Sequence, residues 1–372
     1  MTTPTTRVGY VGLDHHHCRP YLRSLAETAA TVTAACEPST TFDSTSVEGL
    51  GDVPVYDDPV ELLDAEDIDA LWVTLSNDAT PAVVEAALDR DVDVFTEKPA
   101  ARTATDLEPL LAAEADSDAT VCVSYPWRAH PLADELRRRI DAGELGDLRS
   151  FDARFFASKV AHRDAGHYLF DRAASRGGIL QWLGIHWLDL FGWLFEDPVT
   201  RVSATTTYGT TAADVEDGGT VVFETRSGAI GSLRAGYYLG PDRYDTHVGV
   251  VGTDATASWD PIGSEFGFDG EAALVVERTD GTDDTPRRTV THEYTPTPGY
   301  GGEWGLAFIE RFLDARRSGG EVPVDLSDAL AVLRLLDAVY DAAESGRWVA
   351  VDGVSDHTAP ASTPLDARRD TM

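Results

Sequence analysis

Between Arg7 and Ser124 short apolar segments alternate with helical ones, and this alternation constrains the fold more than any other feature of the chain. Arg7–Leu13, Thr31–Cys36, Val55–Tyr56, Ile68–Thr74, Asp91–Thr96 and Thr120–Ser124 read as strands. Pro20–Ala29, Pro59–Asp64, Pro81–Asp89 and Ala104–Asp116 read as helices between them. Strands separated by helices of about ten residues form a parallel sheet with helices on both faces. Right-handed crossovers then bring every strand's C-terminal end to one edge, where ligands bind in this architecture. The expected fold class is therefore α/β, a Rossmann-type doubly wound parallel sheet over residues 1–124.

After Tyr125 the pattern changes. Pro131–Ala142 is an amphipathic helix closed by Gly143, and Leu148–Phe156 begins a strand. Gly177, Gly178 and Gly184 bracket the approach to an apolar helix, Ile185–Phe195. From Val199 to Tyr294 the chain alternates and turns repeatedly, with hairpin signals at Ser227-Gly228 and Asp280-Gly281. That pattern predicts a second, α+β domain over 125–325 with a large, mostly antiparallel open sheet. Leu326–Ser345 reads as a closing helix within a segment, 326–350, that packs back toward the first domain. Residues 351–372 are rich in Thr, Ala, Pro and Asp and are expected to form a flexible tail.

Charge narrows the partners. With 372 residues, 64 Asp plus Glu stand against 30 Lys plus Arg, a formal net charge of -34. A polyanion without a basic run disfavours nucleic acid and anionic lipid. No 18-residue apolar span is present, and Met1–Thr6 is short and polar, so neither a membrane segment nor a signal peptide is expected. Three widely spaced cysteines, Cys18, Cys36 and Cys122, form no disulfide framework and suit a reducing cytoplasm. Acid spread over otherwise ordinary strands and helices fits a high-salt cytoplasm, where screening shortens repulsion to about 3 Å. Cooperative unfolding should be lost below roughly 0.5 M salt; an unchanged melting temperature from low to molar salt would contradict this.

Chemistry-bearing residues cluster at the predicted sheet edge. The first strand ends in Gly12-Leu13-Asp14-His15-His16-His17, which keeps one glycine of the Gly-x-Gly-x-x-Gly phosphate turn. Asp14 can cap the following helix but opposes a phosphate there. His15, His16 and His17 either donate to a pyrophosphate or line a wider loop. A metal site from them is not expected, because adjacent rings rarely converge on one ion. Glu37, about 25 residues beyond Gly12, suits a ribose diol and repels a 2′-phosphate, favouring NAD over NADP. Lys98 follows a buried strand in Glu97-Lys98-Pro99 and is one of only two lysines, with Lys159. A desolvated lysine can approach neutrality and exchange a proton, which arginine cannot.

These pieces occur in an order that resembles the Gfo/Idh/MocA oxidoreductases over about residues 7–350. The order is a glycine-turn strand, Asn77 after a later strand, Glu97-Lys98-Pro99, and a glycine-rich approach ending in Gly184-x-His186-x-x-Asp189. The resemblance implies NAD bound by Gly12, Leu13, Asp14, His17, Glu37, Asn77, Glu97 and Lys98. It implies a sugar, cyclitol or related polyol as substrate, with Lys98 and His186 as catalytic residues flanking the reacting C–OH. Trp182, Asp189, Arg128, Arg163, His167 and Tyr168 are the expected substrate-binding residues. A homodimer or homotetramer through the second sheet is also implied. The chain departs from the family at Asp14, at Thr80 where a histidine is usual, and at Trp182 where an aspartate is usual. Those departures keep one alternative open, a ligand-binding or regulatory relative without turnover; the shared scaffold keeps another, a glycosidase or eliminating enzyme that holds NAD tightly.

Overall fold

The structure is a computed structural model that describes residues 5–39, 42–162, 166–209, 213–262, 271–279 and 287–354. Its first half contains β1 (Thr6–Val11), α1 (Cys18–Ala26), β2 (Ala30–Cys36), β3 (Val55–Tyr56) and α2 (Pro59–Ala65). It continues with β4 (Ala70–Val73), α3 (Thr80–Leu88), β5 (Asp93–Glu97), α4 (Ala104–Ala115) and β6 (Val121–Ser124). The six strands pair in parallel in the order β3-β2-β1-β4-β5-β6. The order reverses between β1 and β4, the switch point at which a crevice opens beyond the strand ends. β4 and β6 are buried at every position, as a sheet covered on both faces requires. Trp72 of β4 stacks on Phe95 of β5 at 3.8 Å between centroids and forms the centre of this core.

The second half contains α5 (Pro131–Asp141), β7 (Leu148–Ser158), α6 (Arg172–Ser175) and α7 (Ile185–Phe195). Strands β8 (Val199–Thr207), β9 (Gly218–Thr225), β10 (Ile230–Leu239), β11 (Tyr244–Gly252), β12 (Ala255–Trp259), β13 (Glu271–Arg278) and β14 (Arg287–Glu293) follow. The chain closes with α8 (Gly302–Ser318), α9 (Leu326–Ser345) and β15 (Val349–Ala350). Nine strands form one sheet, β14-β13-β12-β11-β7-β10-β9-β8-β15, in which only β7 and β10 run parallel. Burial alternates along β9 and β13, so one face packs and the other stays open.

Two local features differ from the sequence reading. Helix α1 starts at Cys18, two residues before Pro20, with His17 at its N-cap and no side-chain cap; Asp14 is exposed and caps nothing. Helix α8, read as part of the second domain, lies on the first sheet, where Phe308 and Phe312 meet Phe95 edge-on. Helix α9 contacts α4 and β6 of the first domain and α7 and β8 of the second. Both closing helices thus fasten the two sheets, and the residues leading into α8 pass the crevice between them. Among the described residues no helix is long and apolar enough to cross a membrane. The tail from Ser355 and the Asp280-Gly281 turn lie outside the described residues.

Candidate active site

Gly12 ends β1 at φ +96, and a Cβ there would lie 2.2 Å from the Thr74 carbonyl oxygen. Only glycine lets the first turn close this tightly on the end of β4. The Thr74 hydroxyl donates to the Gly12 carbonyl at 2.7 Å, and the buried Glu37 carboxylate accepts the Asp14 and Ser39 amides, each at 2.8 Å. Glu37 therefore shapes the turn with both oxygens. Leu13 is buried beneath the turn.

The three histidines point into the crevice. His17 meets Glu97 at 2.7 Å through Nδ1, and the Tyr21 hydroxyl donates to the same carboxylate oxygen at 2.8 Å. Burial alone would raise the Glu97 carboxyl, but His17 and the Lys98 ammonium outweigh it and hold it below the usual carboxylate range. His15 and His16 instead reach the second domain. His15 Nε2 lies 3.2 Å from the Tyr168 hydroxyl, and His16 Nδ1 lies 3.1 Å from His167 Nε2.

Lys98 is 2% exposed. Its Nζ donates to the Trp182 carbonyl at 2.9 Å and lies 3.5 Å from the centroid of the Trp182 ring. Trp182 sits in a π-helical turn, Leu180–Gly184, immediately before α7. Such one-turn widenings recur at functional sites. The glycines before this turn allow close packing: a Cβ on Gly178 would lie 2.0 Å from the Glu216 carbonyl oxygen. The buried Glu216 carboxylate accepts the Gly178 and Leu180 amides and the Tyr340 hydroxyl, fixing where the turn begins. Burial pushes the Lys98 amine down to about 8, opposed by the neighbouring Glu97. Burial, followed by Lys98, holds His186 well below its ordinary value, so its imidazole is neutral.

Lys98, Trp182 and His186 line one cavity of about 270 Å³. His16 and His17 enter it from the first turn, and Trp127, Phe155, Tyr244, Tyr300 and Trp304 supply aromatic wall. Tyr300 and Trp304 escape a sequence reading because they precede and open α8, far from every motif. The glycine cluster around Tyr300, at 299, 301 and 302, is the one signal that marks a shaped loop there.

The other described residues expected at the substrate lie elsewhere than this cavity wall. Asp189 faces Arg128, whose Nη2 donates at 2.6 Å, while Nη1 donates to Asp328 at 2.6 Å. Burial opposes the guanidinium charge, but the two carboxylates outweigh it and hold the group above its ordinary pKa. An acid buried in an apolar helix requires such a partner, so Arg128 and Asp189 form an internal pair outside the cavity wall. His167 and Tyr168 engage the first turn and do not line the cavity. Asn77 donates to the Ser175 carbonyl at 3.0 Å, fastening the two domains across the crevice. Arg163 lies outside the described residues.

Residues 6–125 match the profile described as "Oxidoreductase family, NAD-binding Rossmann fold", and residues 133–258 match the GFO/IDH/MocA C-terminal domain. Together the matches span well over half the chain. The chain belongs to the Gfo/Idh/MocA oxidoreductase family. A curated relative, D-xylose 1-dehydrogenase (NADP(+)) 2 of Haloferax volcanii, is 28% identical, with 93% of this chain and 98% of the relative covered. D-apiose dehydrogenase of Paraburkholderia graminis is 26% identical over 90% of this chain and 86% of its own. Levoglucosan dehydrogenase, solved with NADH and levoglucosan, shares the fold at a TM-score of 0.81 and 19% identity, covering 94% of this chain and 100% of that one.

The first domain is thus the NAD-binding domain of a Gfo/Idh/MocA oxidoreductase, and the residues around Lys98 fit a polar cofactor or substrate group. Glu97 Oε2, the Tyr125 hydroxyl and His186 Nδ1 are buried without a hydrogen-bond partner among the described residues. All three belong to the neighbourhood of Lys98: Glu97 precedes it in the chain, Lys98 acts on His186, and the Tyr125 ring lies 6.0 Å from that of His186. Buried polar atoms in folded proteins usually have partners, so three orphans grouped around one amine suit a polar ligand.

Proposed function

We propose that this oxidoreductase oxidises or reduces the C–OH carbon of a neutral sugar, cyclitol or related polyol, with Lys98 and His186 flanking the reacting hydroxyl. The reading rests on one observation above the others: both groups border the same aromatic cavity. Aromatic faces suit the apolar face of a sugar ring. Arg128, a buried cation of a kind that would suit an acid substrate, is already neutralised. D-xylose and D-apiose appear in the names of relatives, and a cavity of about 270 Å³ suits a single small sugar.

Glu97, Asn77 and the turn from Gly12 to His17 would hold the dinucleotide, with Glu37 disfavouring a 2′-phosphate and so favouring NAD over NADP. When bound, NAD supplies the hydride acceptor. Lys98 accepts the hydroxyl proton as its amine and, once protonated, stabilises developing negative charge on oxygen. His186, neutral, orients the hydroxyl by a hydrogen bond. Trp182 carries the ring that the substrate packs on and the carbonyl that positions Lys98. The open face of the nine-stranded sheet, with Ile230, Tyr238 and Val251 exposed, would join copies into a dimer or tetramer.

The test is a panel of neutral aldoses, cyclitols and polyols with NAD or NADP in molar KCl, followed by reduced-cofactor absorbance. Turnover that is lost in Lys98→Ala is the expected result. Absence of reduction across the panel, together with no calorimetric heat from either cofactor, would overturn the reading. The imidazole bridge from His15 and His16 to the second domain favours a second reading, sugar binding without turnover. In that case sugar binds and neither cofactor does.

A further inference from the structure

His15, His16 and His167 offer ring nitrogens that all lie within 4.8 Å of one another. Two of the rings come from the first βα turn and the third from the second domain, more than 150 positions later in the chain. Ring centroids are 4.3 Å apart for His15 and His16, 4.8 Å for His16 and His167, and 5.8 Å for His15 and His167. Adjacent histidines alone do not converge on one ion, and that was the ground for expecting no metal; the ring from the second domain completes the set. We propose that His15, His16 and His167 bind a borderline divalent transition ion of the Zn2+ class across the interdomain crevice.

The donor set selects the ion. Three imidazoles without a carboxylate suit Zn2+, Co2+ or Ni2+ and do not suit Mg2+ or Ca2+, which take oxygen. The Oε1 atom of Glu97 is held by His17 and Tyr21 rather than by this cluster. The neutral imidazole is the ligating form. Three ligands leave a fourth position of a tetrahedral ion open, the arrangement of sites that take an exchangeable ligand. His16 also borders the substrate cavity, so this position lies near it.

One contact sets the affinity. The Nδ1 atoms of His15 and His167 accept the His17 and Leu169 amides at 3.1 and 3.3 Å. Ligation through Nε2 moves the ring proton to Nδ1 and gives up these long bonds. The site should therefore bind about 10–100-fold more weakly than one whose rings are anchored by carbonyls or carboxylates.

The experiment uses the full chain, stripped with chelator in molar KCl and free of dinucleotide and sugar, so that its failure leaves the redox reading untouched. Zn2+ is titrated calorimetrically and Co2+ by its visible absorption. The expected result is one ion per chain with a tetrahedral Co2+ spectrum, no Mg2+ binding, and at least about tenfold weaker Zn2+ binding in His16→Gln and His167→Gln. His247→Gln, on the open sheet, should bind as the parent does. Both cluster variants retain His15, the buried member, and a circular dichroism spectrum like the parent's shows that they fold. Zn2+ binding that is absent in the parent, or equal in parent and both variants, would overturn the proposal.

Discussion

Lys98 and Arg128 are two buried cations at neighbouring ends of one sheet, just beyond β5 and β6, and their surroundings are opposite. Arg128 is clasped by Asp189 and Asp328, so its charge is neutralised and its donors are used. Lys98 faces the ring and carbonyl of Trp182, where the family more often carries an aspartate, and its charge is answered mainly by Glu97. The pair teaches that burial alone does not set a cation's chemistry. A guanidinium with two carboxylates is part of the framework, whereas an amine held by a π face and a carbonyl keeps a proton it can exchange. His17 extends the contrast, because by pairing with Glu97 it draws on the one carboxylate that supports the Lys98 charge.

The comparison breaks most sharply at Lys98. Lys98→Ala should lower kcat by about 10²–10⁴ while leaving NAD affinity within a few-fold. Lys98→Arg should not restore it, because a guanidinium releases no proton at working pH. Steady-state rates beside calorimetric NAD binding check both, and near-normal kcat in either variant would remove Lys98 from the chemistry. Arg128→Met should act the other way round, costing about 3–5 kcal/mol of stability by leaving Asp189 buried without its cation. Its kcat per folded molecule should stay within a few-fold of the parent, and denaturation midpoints in molar KCl measure the loss. Unchanged stability would show that the pair is not the framework claimed here.

Smaller effects sharpen the contrast. With Lys98 at about 8, oxidation should rise with pH through that value as the amine loses its proton. Trp182→Asp would give Lys98 the kind of partner Arg128 has, and should move that inflection up by about 1–3 pH units. A profile unmoved by this change would assign the inflection to another group. Stability carries the faintest signature. Folded Lys98 releases its proton near 8, whereas the unfolded side chain holds it to about 10.4. Between those values the unfolded state binds more protons, so stability rises with pH, and Lys98→Met should remove that rise.

How much of this was legible in the sequence depended on whether the signal was local. Apolar runs and caps marked β3, α7 and α9 to the residue, since Val55–Tyr56, Ile185–Phe195 and Leu326–Ser345 carry their own boundaries. The π turn at Leu180–Gly184 was hidden because the segment is apolar except for Gln181, so a widened helix leaves no clear change of period. Motif order singled out Lys98 and His186, which the structure brings to one cavity, but it gave no hint that Asp189 pairs with Arg128. Both acid and histidine sit on one helix, and only packing decides which of them faces a neighbouring cation. The meeting of His15 and His16 with His167 depends on how two domains close, which no local pattern encodes.

A structure of the protein with NAD and a turned-over sugar, solved from molar KCl, tests the central claim most directly. The amine of residue 98 and the imidazole of residue 186 should both lie about 2.6–3.2 Å from one and the same sugar oxygen. A sugar seated with that oxygen beyond reach of either group would contradict the account.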